Sequence, residues 1–113
     1  LLPGILDAVA GGRVTVADVA RLTAGKAAAR FGLPDRGRIA GGAKGDLVIV
    51  DLNAETHVTA ESLLTTAAPV ARLDHGARFR GRVVRTILSG ETVWDGARAA
   101  PGGGQFVTPE RAA

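Results

Sequence analysis

Side chains able to do chemistry are few in this chain, and they lie far apart. The histidines are His57 and His75, with no His-x-His pair, whereas a metal-dependent hydrolase needs several His and carboxylate ligands around an open position for the activated water. His57 stands between Thr56 and Val58 and reads as a surface or edge residue. Asp74 and His75 adjoin Gly76 in a connection, and adjacent residues rarely aim at the same atom. Nucleophilic catalysis has no better footing. Cysteine is absent, and Ser62 and Ser89 have no His or Asp at a recognisable offset. The run Gly41-Gly42-Ala43-Lys44-Gly45-Asp46 lacks the Gly-Lys-Ser/Thr ending of a phosphate loop and precedes a strand instead of a helix, so it reads as a hairpin turn. Asp51 and Asp95 sit at strand ends, where acids cap turns. Trp94, the single tryptophan, reads as core or interface packing. The chain is therefore expected to carry no catalytic, no cofactor-binding and no metal-ligating residue.

Charge points the same way. Lys+Arg number 14 against 11 Asp+Glu, a net charge of +3, and only Lys26 and Lys44 are lysines. Such an Arg- and Ala-rich balance suggests a GC-rich genome more than a selected basic surface. Arg78, Arg80, Arg82 and Arg85 gather around Phe79, but alternation puts the first three on one strand face, the usual solvated face. Aromatics for base stacking make up only 4% of the chain, so nucleic acid is not an expected partner. No apolar run approaches the roughly 20 residues of a membrane span, so no membrane partner is expected either. The lack of cysteine agrees with a cytoplasmic location.

The elements that would position these residues fall into a helical part and a strand part. At 113 residues the chain fits one domain, and a whole (β/α)₈ barrel typically needs about 250. It opens on Leu1, in mid-pattern, and reads as a piece of a longer protein. Pro3 to Ala10 predicts a short helix stopped by Gly11-Gly12. Thr15 is a good N-cap for a second helix, with Asp18 completing a capping box. Val16, Val19, Ala20, Thr23, Ala27 and Phe31 then recur at helical spacing as one apolar stripe, ending near Gly32 with Pro34 beyond. Strands are expected at Arg38 to Ala40, Asp46 to Asp51, Thr56 to Val58, Arg82 to Leu88 and Glu91 to Trp94, with Ser89-Gly90 as a tight turn between the last two. Residues 60 to 80 read as connection with a helical turn at Ala60 to Leu64, and the stretch from Ala97 reads as a loop tail. A helical part of this size cannot bury its own stripe. Expressed alone, the chain should be poorly soluble or frayed in its N-terminal third.

The order of residues in Gly37-Arg38-Ile39-Ala40-Gly41-Gly42-Ala43-Lys44-Gly45-Asp46-Leu47-Val48-Ile49-Val50-Asp51 closely resembles the C-terminal signature of cyclic amidohydrolases, where Ala-Asp-Leu is usual at Gly45-Asp46-Leu47. The resemblance extends over the whole chain, through Val14 to Leu22, Phe31-Gly32-Leu33 and Phe79 to Gly90, to the C-terminal quarter of the dihydroorotase, allantoinase and hydantoinase group. The ending Gly90 to Gly96, with Ala100-Pro101 and Gly103 to Val107, is similar to that of allantoinases. Two departures stand out. Pro69 to Gly76 lacks a Ser-Pro followed by an aromatic, and Gly25-Lys26 stands near the place of an Asn-Pro.

The resemblance implies an α+β fragment: residues 1–36 as the last helices of a TIM-barrel amidohydrolase, and residues 37–113 as strands of a small composite β-sandwich with a loop tail. It implies a parent enzyme that hydrolyses C–N bonds of cyclic amides, inactive in this piece alone. Allantoin is the favoured substrate, with dihydroorotate or a hydantoin as the alternative. Its cofactor would be a divalent metal, a binuclear zinc centre, held by residues outside this chain. Its partners would be the remaining barrel and sandwich strands and, in a homo-oligomer, further copies. A rival of another class is a non-catalytic β-sandwich module for binding or structure.

Overall fold

The computed structural model describes residues 1–66 and 75–110. Helices come first and an antiparallel sheet follows. α1 runs over Leu2–Ala10 with Pro3 in its first turn, where a missing N–H costs nothing. It ends as expected at Gly11-Gly12: the Arg13 N–H donates to Ala8 O and the Gly12 N–H to Val9 O, each at 2.9 Å, the paired bonds of a Schellman cap.

α2 (Val16–Ala20) starts on the expected capping box. Asp18 N–H donates to Thr15 Oγ1 and Thr15 N–H to Asp18 Oδ2, both at 3.1 Å. The helix then passes through a π turn over Arg21–Gly25 and resumes as α3 (Lys26–Arg30). That turn corrects the expected stripe. A π turn inserts one extra residue and rotates everything after it, so the inward position moves from Ala27 to Ala28, which is buried together with Val19. Phe31 is turned out of the interior, at 64% exposed, and Val16 is 50% exposed. Thr23 Oγ1 donates back to Val19 O at 2.8 Å, a bond that bends helices at such places.

Among the described residues the sheet has three strands in the order β1-β2-β3, fewer than expected: β1 (Leu47–His57), β2 (Arg78–Leu88) and β3 (Glu91–Trp94). The short strand expected at Arg38 to Ala40 is absent, and so is the hairpin it would make with β1. Residues 35–44 close on themselves instead, with Lys44 N–H on Asp35 O at 2.8 Å and Ala43 N–H on Ala40 O at 3.1 Å. Arg38 Nη1 donates to Pro34 O at 2.6 Å. No described strand pairs with this stretch, and Ile39 is 89% exposed. Thr56 and His57, expected in a separate strand, belong to β1, because the bulge at 52–54 bends the strand without ending it. The β2–β3 hairpin closes at Ser89-Gly90 as expected, with φ of +50° and +86°. Only a 3₁₀ turn at Ala60–Ser62 stands where a helical turn was expected. The stretch Pro69 to Asp74, part of the first sequence departure, lies outside the described residues.

Among the described residues the buried apolar centre is small: Leu6, Val19 and Ala28. It lies between the helices and the sheet, and Leu6 carries most of the contact. Opposite Leu6 the β1–β2 ladder slips its register, and Gly81 stands at the slip with φ of +99°. A Cβ there would come within 2.6 Å of Leu6 Cβ. The missing side chain is thus the socket that lets α1 settle on β2. The contact is sealed by polar bonds, Arg80 N–H to Asp7 Oδ1 at 2.9 Å and Thr56 Oγ1 to Gly81 O at 2.7 Å.

Candidate functional site

The residues that converge most tightly stand where helices meet sheet. Asp46 enters β1 with its two carboxylate oxygens pointing to different elements. Oδ2 takes the Arg36 guanidinium at 2.5 Å, and Oδ1 accepts the Ser89 N–H at 2.8 Å. Beside it, Gly90 N–H donates to Gly45 O at 2.9 Å. One carboxylate therefore ties together the linker after α3, the start of β1 and the β2–β3 turn. Both partners of the ion pair are about three-quarters shielded from water, where a charge-assisted bond is stronger than on the surface. Arg36 Nε is buried, with Asp35 Oδ1 at 3.5 Å as an ion-pair neighbour, too far for a hydrogen bond. Residue spacing did not point to this junction. Its only sequence signal is an Arg and an Asp flanking the Gly-rich loop.

Above the junction opens a groove of about 480 Å³ between the helices and the first half of β1. Leu2, Val19, Ala28, Leu47, Val48 and Val50 line it, with Arg36 and Asp46 at its rim. Val16, Leu47, Val48 and Ile49 keep a third or more of their surface in water. Within the described residues β1 has a neighbour on one side only. Such a surface can bury an apolar partner and extend a sheet. It has no array of acids, bases or nucleophiles to do chemistry.

The residues whose types could do chemistry are dispersed and structurally employed. His57 ends β1 opposite Arg78. His75 Nδ1 accepts the Ala60 N–H at 3.1 Å, at the start of the 3₁₀ turn. Ser62 closes a capping box with Thr59, and Ser89 forms the hairpin turn. Asp51 Oδ1 accepts the Asn53 N–H at 2.8 Å. Asp95 Oδ1 accepts from Ala97 and Arg98 at 2.9 and 2.7 Å, and those backbone bonds, from Arg98 first, lower its pKa. On the Arg face of β2, Arg78 pairs with Glu55, Arg80 with Asp7, and Arg82 donates to Gly96 O. The pKa of Asp7 is lowered, chiefly by the Arg80 N–H.

The amidohydrolase family matches residues 8–94 of this sequence, from the end of α1 through α2, α3, the junction and the whole sheet. The chain belongs to the amidohydrolase family. An allantoinase of Rubrobacter xylanophilus is 42% identical over 113 residues, covering 98% of this chain and 24% of the relative. A dihydroorotase of Methanothermobacter thermautotrophicus is 27% identical over 106 residues, covering 94% of this chain and 24% of the relative. Among solved structures, a D-hydantoinase from a Bacillus sp. superimposes with a TM-score of 0.74 at 27% identity, over 96% of this chain and 25% of that one. The chain thus spans about a quarter of the length of the curated relatives it matches.

Amidohydrolases are in general dependent on divalent metal. The described residues of this amidohydrolase chain do not fit such an ion. None of them form a group of three or more His, Cys, Asp or Glu able to hold a metal, and His75 already uses Nδ1 on Ala60. Also among the described residues, no helix is long and apolar enough to cross a membrane.

Proposed function

We propose that this chain is the C-terminal part of a metal-dependent hydrolase of cyclic amides, with allantoin as its substrate. The observation that carries the reading is the 42% identity to an allantoinase, sustained over 98% of the chain. The dihydroorotase of M. thermautotrophicus matches nearly as much of the chain at 27%, so dihydroorotate is the second substrate to test. In this reading residues 1–36 are the last helices of the catalytic barrel and residues 37–113 belong to a small β-sandwich. The division is supported by the helices ending at Arg30 and the sheet starting at Leu47. The rest of the polypeptide covers the apolar groove and the free side of β1, and it supplies every ligand of a binuclear zinc centre. The enzyme works as a cytoplasmic homo-oligomer.

The role left to this chain is mechanical. α1 is locked to β2 by Leu6 on Gly81 and Asp7 on Arg80, while Asp46 holds the linker and the hairpin turn. The catalytic barrel to which these helices belong is thereby fixed relative to the sheet. The test begins with the nucleotide sequence upstream of the Leu1 codon. An open frame of roughly 300 or more codons is expected, on the scale of a barrel of about 250 residues plus its flanking strands, with a His-x-His pair and a barrel lysine. The full protein, loaded with zinc, should then hydrolyse allantoin faster than dihydroorotate. A start codon at Leu1, or a full-length protein with no cyclic-amide hydrolysis, would overturn the reading.

A further inference from the structure

The residues after β3, expected to be a loop tail, are bound to the rest of the chain at both ends. At the near end, Asp95 caps a turn, Trp94 bridges to Ala99, and Ala100 N–H donates to Val93 O at 2.8 Å. Gly102 then lies flat on the β2–β3 hairpin, where a Cβ would come within 2.9 Å of Val93 Cγ1 and 3.3 Å of Leu88 Cδ2. At the far end the Glu110 N–H donates to Gly32 O at 2.9 Å. Gly32 directly follows Phe31, the C-cap of α3, and has φ of +63°. A Cβ on it would fall 2.5 Å from the Glu110 carbonyl oxygen. Two carbonyls in the last turn of α3 are already used in its own cap, Leu33 N–H on Ala28 O at 2.9 Å and Gly32 N–H on Ala29 O at 3.4 Å. The O of Gly32 has no part in those two bonds, and the tail is what takes it. A groove of about 470 Å³ with Ala28, Gly32, Pro34 and Arg38 in its wall has Glu110 as its closing side.

We propose that residues 96–110 form a strap that clamps the β3 side of the sheet to the end of α3, with Gly32 as its receptor. The linker 31–46 is one bridge between helices and sheet. The strap is a second, on the opposite side of the β2–β3 hairpin from β1, and added to the α1–β2 contact it holds the end of α3 at a further separated point, which resists hinge motion there. Gly32 thus has two duties. It ends the helix, as many glycines do, and it leaves open the space the strap occupies. The inference holds whichever amide the enzyme hydrolyses, because it concerns only contacts within this chain.

The experiment compares amide hydrogen exchange and backbone order in the intact natural polypeptide and three variants. Gly32→Asn keeps a residue that tolerates positive φ but puts a Cβ against Glu110 O. Gly12→Asn makes the same change at the α1 cap, where φ is +72° and no atom lies within 4 Å of the new Cβ. Glu110→Pro removes the donated N–H and leaves Gly32 untouched. In the natural protein the Glu110 and Ala100 amides should both be protected. Gly32→Asn should speed Glu110 exchange about tenfold, the cost of one hydrogen bond and a close contact, while Ala100 keeps its protection. Gly12→Asn should leave Glu110 unchanged, and Glu110→Pro should give residues 103–109 the order of a free tail with α3 intact. Three results would overturn the strap: a Glu110 amide already exchanging like a free peptide, equal protection in Gly32→Asn and the natural protein, or unaltered order at 103–109 in Glu110→Pro.

Discussion

Replacing Gly81 with Ala should be among the costliest single-methyl additions to this chain. Two terms contribute. Gly81 holds φ at +99°, and a side chain in so sparsely populated a region costs about 1–3 kcal/mol. The new methyl would also stand 2.6 Å from Leu6 Cβ, with Leu6 Cδ1 at 3.3 Å, and Leu6 is only 2% exposed, so it has nowhere to go. Overpacking of this kind costs about 1–3 kcal/mol. Together they come to about 2–6 kcal/mol, a large share of the 5–15 kcal/mol typical of a whole domain. The assay is denaturant unfolding of the intact polypeptide, with Gly41→Ala as reference, since nothing lies within 4 Å of a Cβ there. That reference should stay within about 0.5 kcal/mol of the parent. Leu6→Gly, which removes the struck Cβ along with the rest of the side chain, should alone cost about 3–6 kcal/mol, the lost packing plus a glycine inside α1, and in the double variant the collision is gone. Its loss should therefore fall short of the sum of the single losses by about 1–2 kcal/mol. If Gly81→Ala unfolds like Gly41→Ala, or if the two changes simply add, the socket argument is wrong.

Asp46→Ala should destabilise the protein by about 2–4 kcal/mol, because it strands the Arg36 charge and the Ser89 N–H together. Asp46→Asn should recover part of the loss through the Ser89 bond, and thermal unfolding of both variants checks the order. The capping box predicts an acid-labile helix. Asp18 titrates at about 2 in the fold against an ordinary value of 3.8, chiefly because Thr15 hydrogen-bonds its carboxylate. The unfolded chain binds more protons between those values, so the contribution is complete above pH 3.8 and drains away toward pH 2. Thr15→Ala should flatten that acid limb in amide-exchange or circular-dichroism titrations. Produced without the rest of the enzyme, residues 1–113 should bind a hydrophobic dye and exchange amides rapidly over 16–30, since Val16, Leu22 and Phe31 lie at least half exposed. A monodisperse monomer with slow exchange there would contradict the proposal that a barrel covers them.

Parts of this protein governed by neighbours in sequence are legible from residue type and spacing alone. A capping box needs Thr15 and Asp18 three residues apart, a Schellman end needs Gly12 or Gly32, and a two-residue turn is written in Ser89-Gly90; each is a contact within a few bonds, so residue type decides it. The family is legible for the same reason, from an ordered run of residues around Gly45-Asp46-Leu47. Partner choice over distance is not. Nothing local states that β1 pairs with β2 and not with Arg38 to Ala40, because backbone hydrogen bonding is alike for any strand. The one-residue slip of the π turn exchanges Ala27 for Ala28 and turns Phe31 outward. A helical periodicity assumes a constant turn and cannot register that slip. Asp46 needs the tertiary structure too: its three-way junction exists only once the linker, β1 and the hairpin turn have been brought to one place, and their approach is set by apolar burial around Leu6, which has no direction in sequence.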